Sequence, residues 1–161
     1  GRFFALSLPF SFRPLHEDGL DFTLPIGMEP TALEGWSSFP SDHAVLFYAL
    51  STGLFLVSKK IGIFSIAYTT IFIGFPRVYL GLHYPTDIIG GAFIGALIVY
   101  ACNSTFFVKK VARPTLGWAD NKPEYFYPVF FIISYQIADM FDNARSILSA
   151  IKSLLIHMLT G

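Results

Sequence analysis

Three long apolar runs, each bounded by clear punctuation, dominate the middle of the chain. The first extends from about His43 to Ser58 and stops at Lys59-Lys60. The second runs from Ile61 to about Tyr79, with no charge before Arg77. The third runs from about Thr86 to Cys102, and Lys109, Lys110 and Arg113 follow it. Each reads as a helix slightly short of the roughly 20 residues an ideal bilayer span needs, a difference that tilt can absorb. Small residues in the third run (Gly90, Gly91, Ala92, Gly95, Ala96) suit close helix packing in lipid, and Gly91-x3-Gly95 is a small-x3-small pair.

The remaining segments are less uniform. Residues 13–42 hold Pro14, Pro25, Pro30 and Pro40 together with Glu17, Asp18, Asp21, Glu29 and Glu34, and read as a loop outside the membrane. Residues 114–124 read as a second loop. Tyr125 to about Met140 is a fourth apolar stretch, rich at its start in the tyrosine and phenylalanine that favour a membrane interface. From Asp139 to Leu159 the pattern turns amphipathic, as in a helix lying on a surface or packing on a partner. Near the beginning, Phe3 to Phe12 is too short to span a bilayer and lacks the layout of a signal peptide. It reads as the tail of a helix, with further helices expected before Gly1.

Composition agrees with this pattern. The 161 residues suffice for a single domain, 53% are hydrophobic, and only 14% are charged against the roughly 25% of soluble domains. The expected fold is therefore an all-α, membrane-embedded helical bundle over residues 1–161. Within it a C-terminal helical extension spans about 124–160. A formal net charge of zero removes the basic field that nucleic-acid binding would need. The lone Cys102 excludes an internal disulfide. Alternating helix directions put Lys59-Lys60 and the Lys109, Lys110, Arg113 cluster on one side, with Arg77, His83 and Asp87 on the other. By the positive-inside tendency, that second side faces away from the cytoplasm.

Two clusters of chemistry-bearing residues sit at the ends of these runs. Pro40-Ser41-Asp42-His43 directly precedes the first helix, where Ser41 or Asp42 can cap and the free backbone N–H groups form a ready anion site. Simple capping explains the same residues. In the second cluster, Arg77 offers a planar, permanently charged fork suited to phosphate oxygens. His83 and Asp87, four residues apart, can meet on one helical face. There the carboxylate would fix the ring tautomer and leave the other nitrogen as a nucleophile. The competing reading is an interfacial Arg and His with Asp87 as an N-cap. Zinc ligation by two His and an Asp is disfavoured by the neighbouring arginine. Ser41 as nucleophile lacks the strand-turn-helix setting of a nucleophile elbow.

Taken together, Pro40-Ser41-Asp42-His43 and Arg77-x5-His83-x3-Asp87 resemble the second and third motifs of the type 2 phosphatidic acid phosphatase superfamily. The resemblance covers roughly residues 13–102. It implies a metal-independent hydrolase of a lipid phosphate or polyprenyl diphosphate, embedded in a bacterial plasma membrane and working without a cofactor. It also implies roles: His83 as the nucleophile that becomes phosphohistidine, Asp87 orienting it, and His43 protonating the leaving oxygen. Arg77, Arg13, Ser41 and the backbone at Asp42 would hold the phosphate. Three positions depart from the family pattern. Asp42 replaces a glycine, as in the undecaprenyl-diphosphate phosphatase branch; Pro76 replaces a serine; and Leu6 stands where the first motif has lysine. With that motif incomplete, the alternative is a non-catalytic membrane protein that binds a lipid phosphate. Vanadium-dependent haloperoxidases share the site pattern but are soluble, which this composition is not.

Overall fold

The computed structural model describes residues 9–17, 26, 35–139, 147 and 151–152. Among them every regular element is helical, which establishes the all-α class. The amphipathic reading of 139–159, most of the 13–42 loop, and Leu6 of the first motif lie outside the described residues. Of the expected N-terminal helix tail, Pro9 to Phe12 is irregular, and the rest is likewise outside.

Helix α1 (Asp42–Val57) begins because Ser41 caps it, its Oγ accepting from the Ala44 N–H at 3.5 Å. Asp42 in the first turn adds a favourable negative charge to the positive end of the helix dipole. The helix ends at Ser58, whose extended backbone turns the chain straight into the next element. That element, α2, is one helical rod from Lys59 to Tyr79. Gly62 in its first turn crosses the backbone of Phe55 so closely that no side chain fits there.

Between Thr69 and Gly74 the rod widens into a π-helical turn. Pro76 supplies the physical reason: it has no N–H to donate and its ring would strike the carbonyl four residues earlier. The wider turn hands the Phe75 N–H to Thr70 O, five residues back. Hydroxyls brace α2 against α1 just before this turn and at its start. Ser51, fully buried, pairs with Ser65 at 2.8 Å and Thr69 at 3.0 Å, and Tyr48 pairs with Thr70 at 2.7 Å. Such interhelical hydrogen bonds hold apolar helices together where hydrophobic burial discriminates little.

Helix α3 (Pro85–Cys102) packs along α1. Glycines let the two backbones touch. A Cβ at Gly91 would meet Ala44 Cβ at 2.7 Å, and one at Gly95 would meet Val45 O at 2.5 Å. The small-x3-small pair legible in the sequence is therefore the α1–α3 contact. Helices α2 and α3 are long and apolar enough to cross a membrane, whereas α1, with 16 residues, is shorter.

The chain divides into two compact units, residues 1–104 and 105–161. In the second, a helical turn Thr105–Phe107 and a π-helical Val108–Ala112 lead into α4 (Arg113–Asn121), and α5 (Pro123–Ala138) comes next. Helix α4 corrects the expectation of a loop at 114–124. Pro114 falls in the first turn, where a missing N–H costs nothing. Thr115 and Asn121 then return side-chain hydrogen bonds to Val111 O and Gly117 O. The real break is Lys122, driven out of helical geometry by Pro123.

Candidate active site

The site lies wholly in the first unit, where the turn after α2 meets the starts of α1 and α3. Gly81 makes that turn possible. Its φ of +67° is a left-handed conformation that glycine adopts without strain. Its carbonyl accepts from Leu15 N–H at 2.9 Å, which docks the short 3-10 turn Pro14–His16 against the loop. Tyr84 fixes the same segment from the other side by donating its hydroxyl to Glu17. Arg13, at the head of the turn, is thereby brought to the loop and donates from Nη1 to Leu82 O at 2.8 Å.

His83 is 4% exposed, and both ring nitrogens are engaged. Nδ1 lies 2.9 Å from Ser38 O, and Nε2 lies 3.3 Å from Arg13 Nη1. A carbonyl can only accept and a guanidinium can only donate. Both contacts therefore assign the same tautomer, with the proton on Nδ1 and the lone pair of Nε2 facing Arg13. A metal ion at Nε2 would have to displace that cation.

Asp87, 2% exposed, sits three positions after Tyr84, the cap of α3. Its Oδ2 accepts from Tyr84 N–H at 2.8 Å and from Ser38 Oγ at 2.5 Å. The same oxygen is 3.6 Å from His83 Nδ1, beyond hydrogen-bond reach. This corrects the expectation of a direct carboxylate–imidazole bond on one helical face. His83 precedes the helix, and the carboxylate is held by the cap and by Ser38. Asp87 is not itself the N-cap, as the competing reading had it, but it does help close the cap.

Ser38 was not legible as a site residue. It stands in Ser37-Ser38-Phe39-Pro40 without periodicity or spacing to mark it. In the structure it is fully buried and uses every polar group it has. Its N–H donates to Ser11 O at 2.8 Å, its hydroxyl to Asp87, and its carbonyl accepts from His83. Glu17 and Tyr84 carried no sequence signal either.

The remaining expected residues gather nearby. Ser41 is fully buried, capping α1 with its side chain while its N–H donates to Asp87 O at 3.3 Å. That bond ties the start of α1 to the start of α3. Asp42 and His43 occupy the first turn of α1 and are half-buried. Arg77, also half-buried, accepts through its carbonyl from Leu82 and His83 N–H at 2.9 and 3.3 Å. Its guanidinium is close enough to Arg13 to be repelled by it and close enough to Asp42 to be attracted. Two arginines held together at an apolar boundary make a site whose natural complement is a multiply charged anion.

Two arginines, a histidine whose Nδ1 meets a carbonyl, and a helix N-terminus converge here, an arrangement whose chemistry suits an oxyanion. The sequence profile of the PAP2 superfamily matches residues 9–110, well over half of the chain, and the protein belongs to that superfamily. Among curated relatives, the bacitracin transport permease protein BcrC of Bacillus licheniformis is 39% identical over 61 residues, covering 38% of this chain and 30% of its own. The undecaprenyl-diphosphatase BcrC of Bacillus subtilis is 34% identical over 62 residues, 38% of this chain and 32% of the relative. Phosphatidylglycerophosphatase B of the same organism is 34% identical over 94 residues, 52% of this chain and 45% of the relative. The chain thus spans less than half the length of these relatives. No solved structure matches it significantly.

Proposed function

We propose that this chain carries the catalytic core of an integral-membrane phosphatase that acts on a lipid phosphate or polyprenyl diphosphate through a phosphohistidine on His83. The observation that carries the reading is the His83 tautomer, which leaves an unprotonated Nε2 beside an arginine. In the first step Nε2 attacks phosphorus and the bond from phosphorus to the lipid-side oxygen breaks. His43 gives that oxygen its proton. In the second step water attacks phosphorus, His43 takes the water proton, and the P–N bond breaks to release phosphate and restore the Nε2 lone pair. General acid–base work of this kind contributes about 100- to 10,000-fold.

Arg13, Arg77, the Ser41 hydroxyl and the backbone N–H at Asp42 hold the phosphoryl oxygens and stabilise the charge they develop. These groups supply the positive charge themselves, so no metal is called for. Undecaprenyl diphosphate is the favoured substrate. Pro40-Ser41-Asp42-His43 is the variant associated with that branch, and relatives named for that activity are among the matches. The catalytic domain occupies residues 13–102, with α2 and α3 crossing the bilayer of a bacterial plasma membrane and the site facing away from the cytoplasm.

The test is phosphate release in detergent from undecaprenyl diphosphate, phosphatidic acid and phosphatidylglycerol phosphate. His83→Ala should lower release by at least about 1,000-fold, as removal of a nucleophile does. Vanadate should inhibit and chelators should not. Full activity in His83→Ala, or loss on chelation, refutes the mechanism. Tight binding of a lipid phosphate with no release by the wild-type chain assigns a binding protein instead.

A further inference from the structure

We infer that Ser38 is a positioning residue that couples Asp87 to His83, its hydroxyl meeting the carboxylate while its carbonyl meets the imidazole. Four distances carry this. Asp87 Oδ2 is 3.6 Å from His83 Nδ1 but 2.5 Å from Ser38 Oγ, and the Ser38 carbonyl is 2.9 Å from Nδ1. The Ser38 N–H is anchored to Ser11 O at 2.8 Å. One fully buried residue therefore receives the imidazole N–H on its carbonyl and passes its hydroxyl proton toward the carboxylate.

Any residue supplies a carbonyl, but only a hydroxyl at this position links that carbonyl to Asp87. The Phe39 ring, seated on Gly90 of α3, and the Ser37 hydroxyl, which donates to Phe39 O at 3.3 Å, hold the segment against the start of the helix. The carbonyl is thus aimed by contacts on both sides of it. With Ser38 in place, Nδ1 keeps its proton and Nε2 stays open toward Arg13. Without the hydroxyl, the bond between this segment and Asp87 is lost while Asp87 stays on the Tyr84 N–H. The Ser38 carbonyl is then less firmly aimed, and the ring loses part of the orientation that points Nε2 at Arg13.

The kinetic arm of the test rests on the phosphatase reading; the spectroscopic arm does not. Ser38→Ala should lower kcat by about 10- to 100-fold, the usual cost of removing a group that orients a reactive histidine, with KM within about 2-fold of wild type. Ser38→Thr, which keeps the hydroxyl, should recover most of the loss. In an Asp87→Asn background, Ser38→Ala should add less than about 3-fold, because residues acting as one unit are non-additive. In ring-15N-labelled protein, the His83 Nδ1 proton resonance or tautomer ratio should change in Ser38→Ala.

Wild-type kcat in Ser38→Ala, a loss confined to KM, fully multiplicative effects with Asp87→Asn, or unchanged His83 ring resonances would each overturn the inference. Should Ser38→Ala fail to fold, Ser38→Cys, a weaker donor of similar size, gives the same two readouts with the same consequences. If the wild-type chain releases no phosphate from any substrate, the phosphatase reading falls. The His83 resonances then still decide the coupling on their own.

Discussion

The two units of this chain spend their polar groups in different ways. In the first, among the described residues, buried polar side chains (Ser38, Ser41, Ser51, Thr69, His83, Asp87) outnumber the buried apolar ones (Pro14, Pro40, Ala44, Val45, Ile88). All six of those polar residues have partners. In the second, among the described residues, the only buried side chain is Phe126, ringed by Trp118 at 5.3 Å, Tyr127 at 5.4 Å and Phe130 at 5.5 Å. Tyr125, Tyr127 and Phe131 of the same unit are more than 60% exposed. Geometry in the first unit is set by directional bonds that tolerate little displacement. In the second it rests on ring contacts that many arrangements could satisfy. Precision is concentrated where a reactive nitrogen has to be held in place.

Substitutions can press on that contrast, and the largest effect belongs to the site. Arg13→Ala removes the cation facing Nε2 and one of two phosphate forks. Phosphate release should fall about 100- to 1,000-fold, as when a donor that stabilises developing charge is removed, while the melting temperature in detergent stays within a few degrees. Next comes the glycine seam. Gly95→Leu forces a side chain into Val45 O and Ala49 N, and α1 and α3 must part. A loss of about 1–3 kcal/mol is expected from overpacking, read as a lower denaturation midpoint with activity falling in parallel.

Phe126→Ala should separate the units. It removes the central ring of the α4–α5 cluster, with loss of local protection in hydrogen exchange over residues 113–138. The kcat should stay within about 2-fold. A large drop in kcat would mean that the second unit bears on the site after all. Smallest of all, Lys110→Ala deletes a cation held 5.1 Å over the Phe106 ring. The expected change is about 0.5 kcal/mol or less at so exposed a position, measurable only as a slight shift in thermal unfolding.

Much of the first unit was legible in the sequence because membrane-like helices announce themselves. Uninterrupted apolar runs closed by Lys59-Lys60 and by Cys102 marked their own ends, and the glycines at 91 and 95 marked the packing seam. The site was legible only by residue type. Arg77, His83 and Asp87 were found from chemistry and spacing, but spacing could not say that His83 lies outside the helix that holds Asp87. Ser38 escaped because its importance comes from a contact with residues 45 and 49 positions away along the chain, made partly by its backbone. Backbone atoms leave no trace in composition. The missed helix α4 has the opposite cause. Pro114 and Gly117 look like breakers in sequence, yet a proline at a helix start and one tolerated glycine do not stop a helix already running.

The π-helical turn at Thr69–Gly74 sets the direction in which the last turn of α2 presents its side chains. An α-helix advances about 100° per residue, so an extra residue in one turn leaves the length of the rod almost unchanged but alters its azimuth. Arg77 stands on the far side of that phase shift. Straightening that turn into α-geometry without removing a residue would swing the arginine by one residue's worth, roughly 100°, around the axis. Removing one residue as the turn straightens would instead keep Arg77 on nearly its present face and shorten α2 by about 1.5 Å.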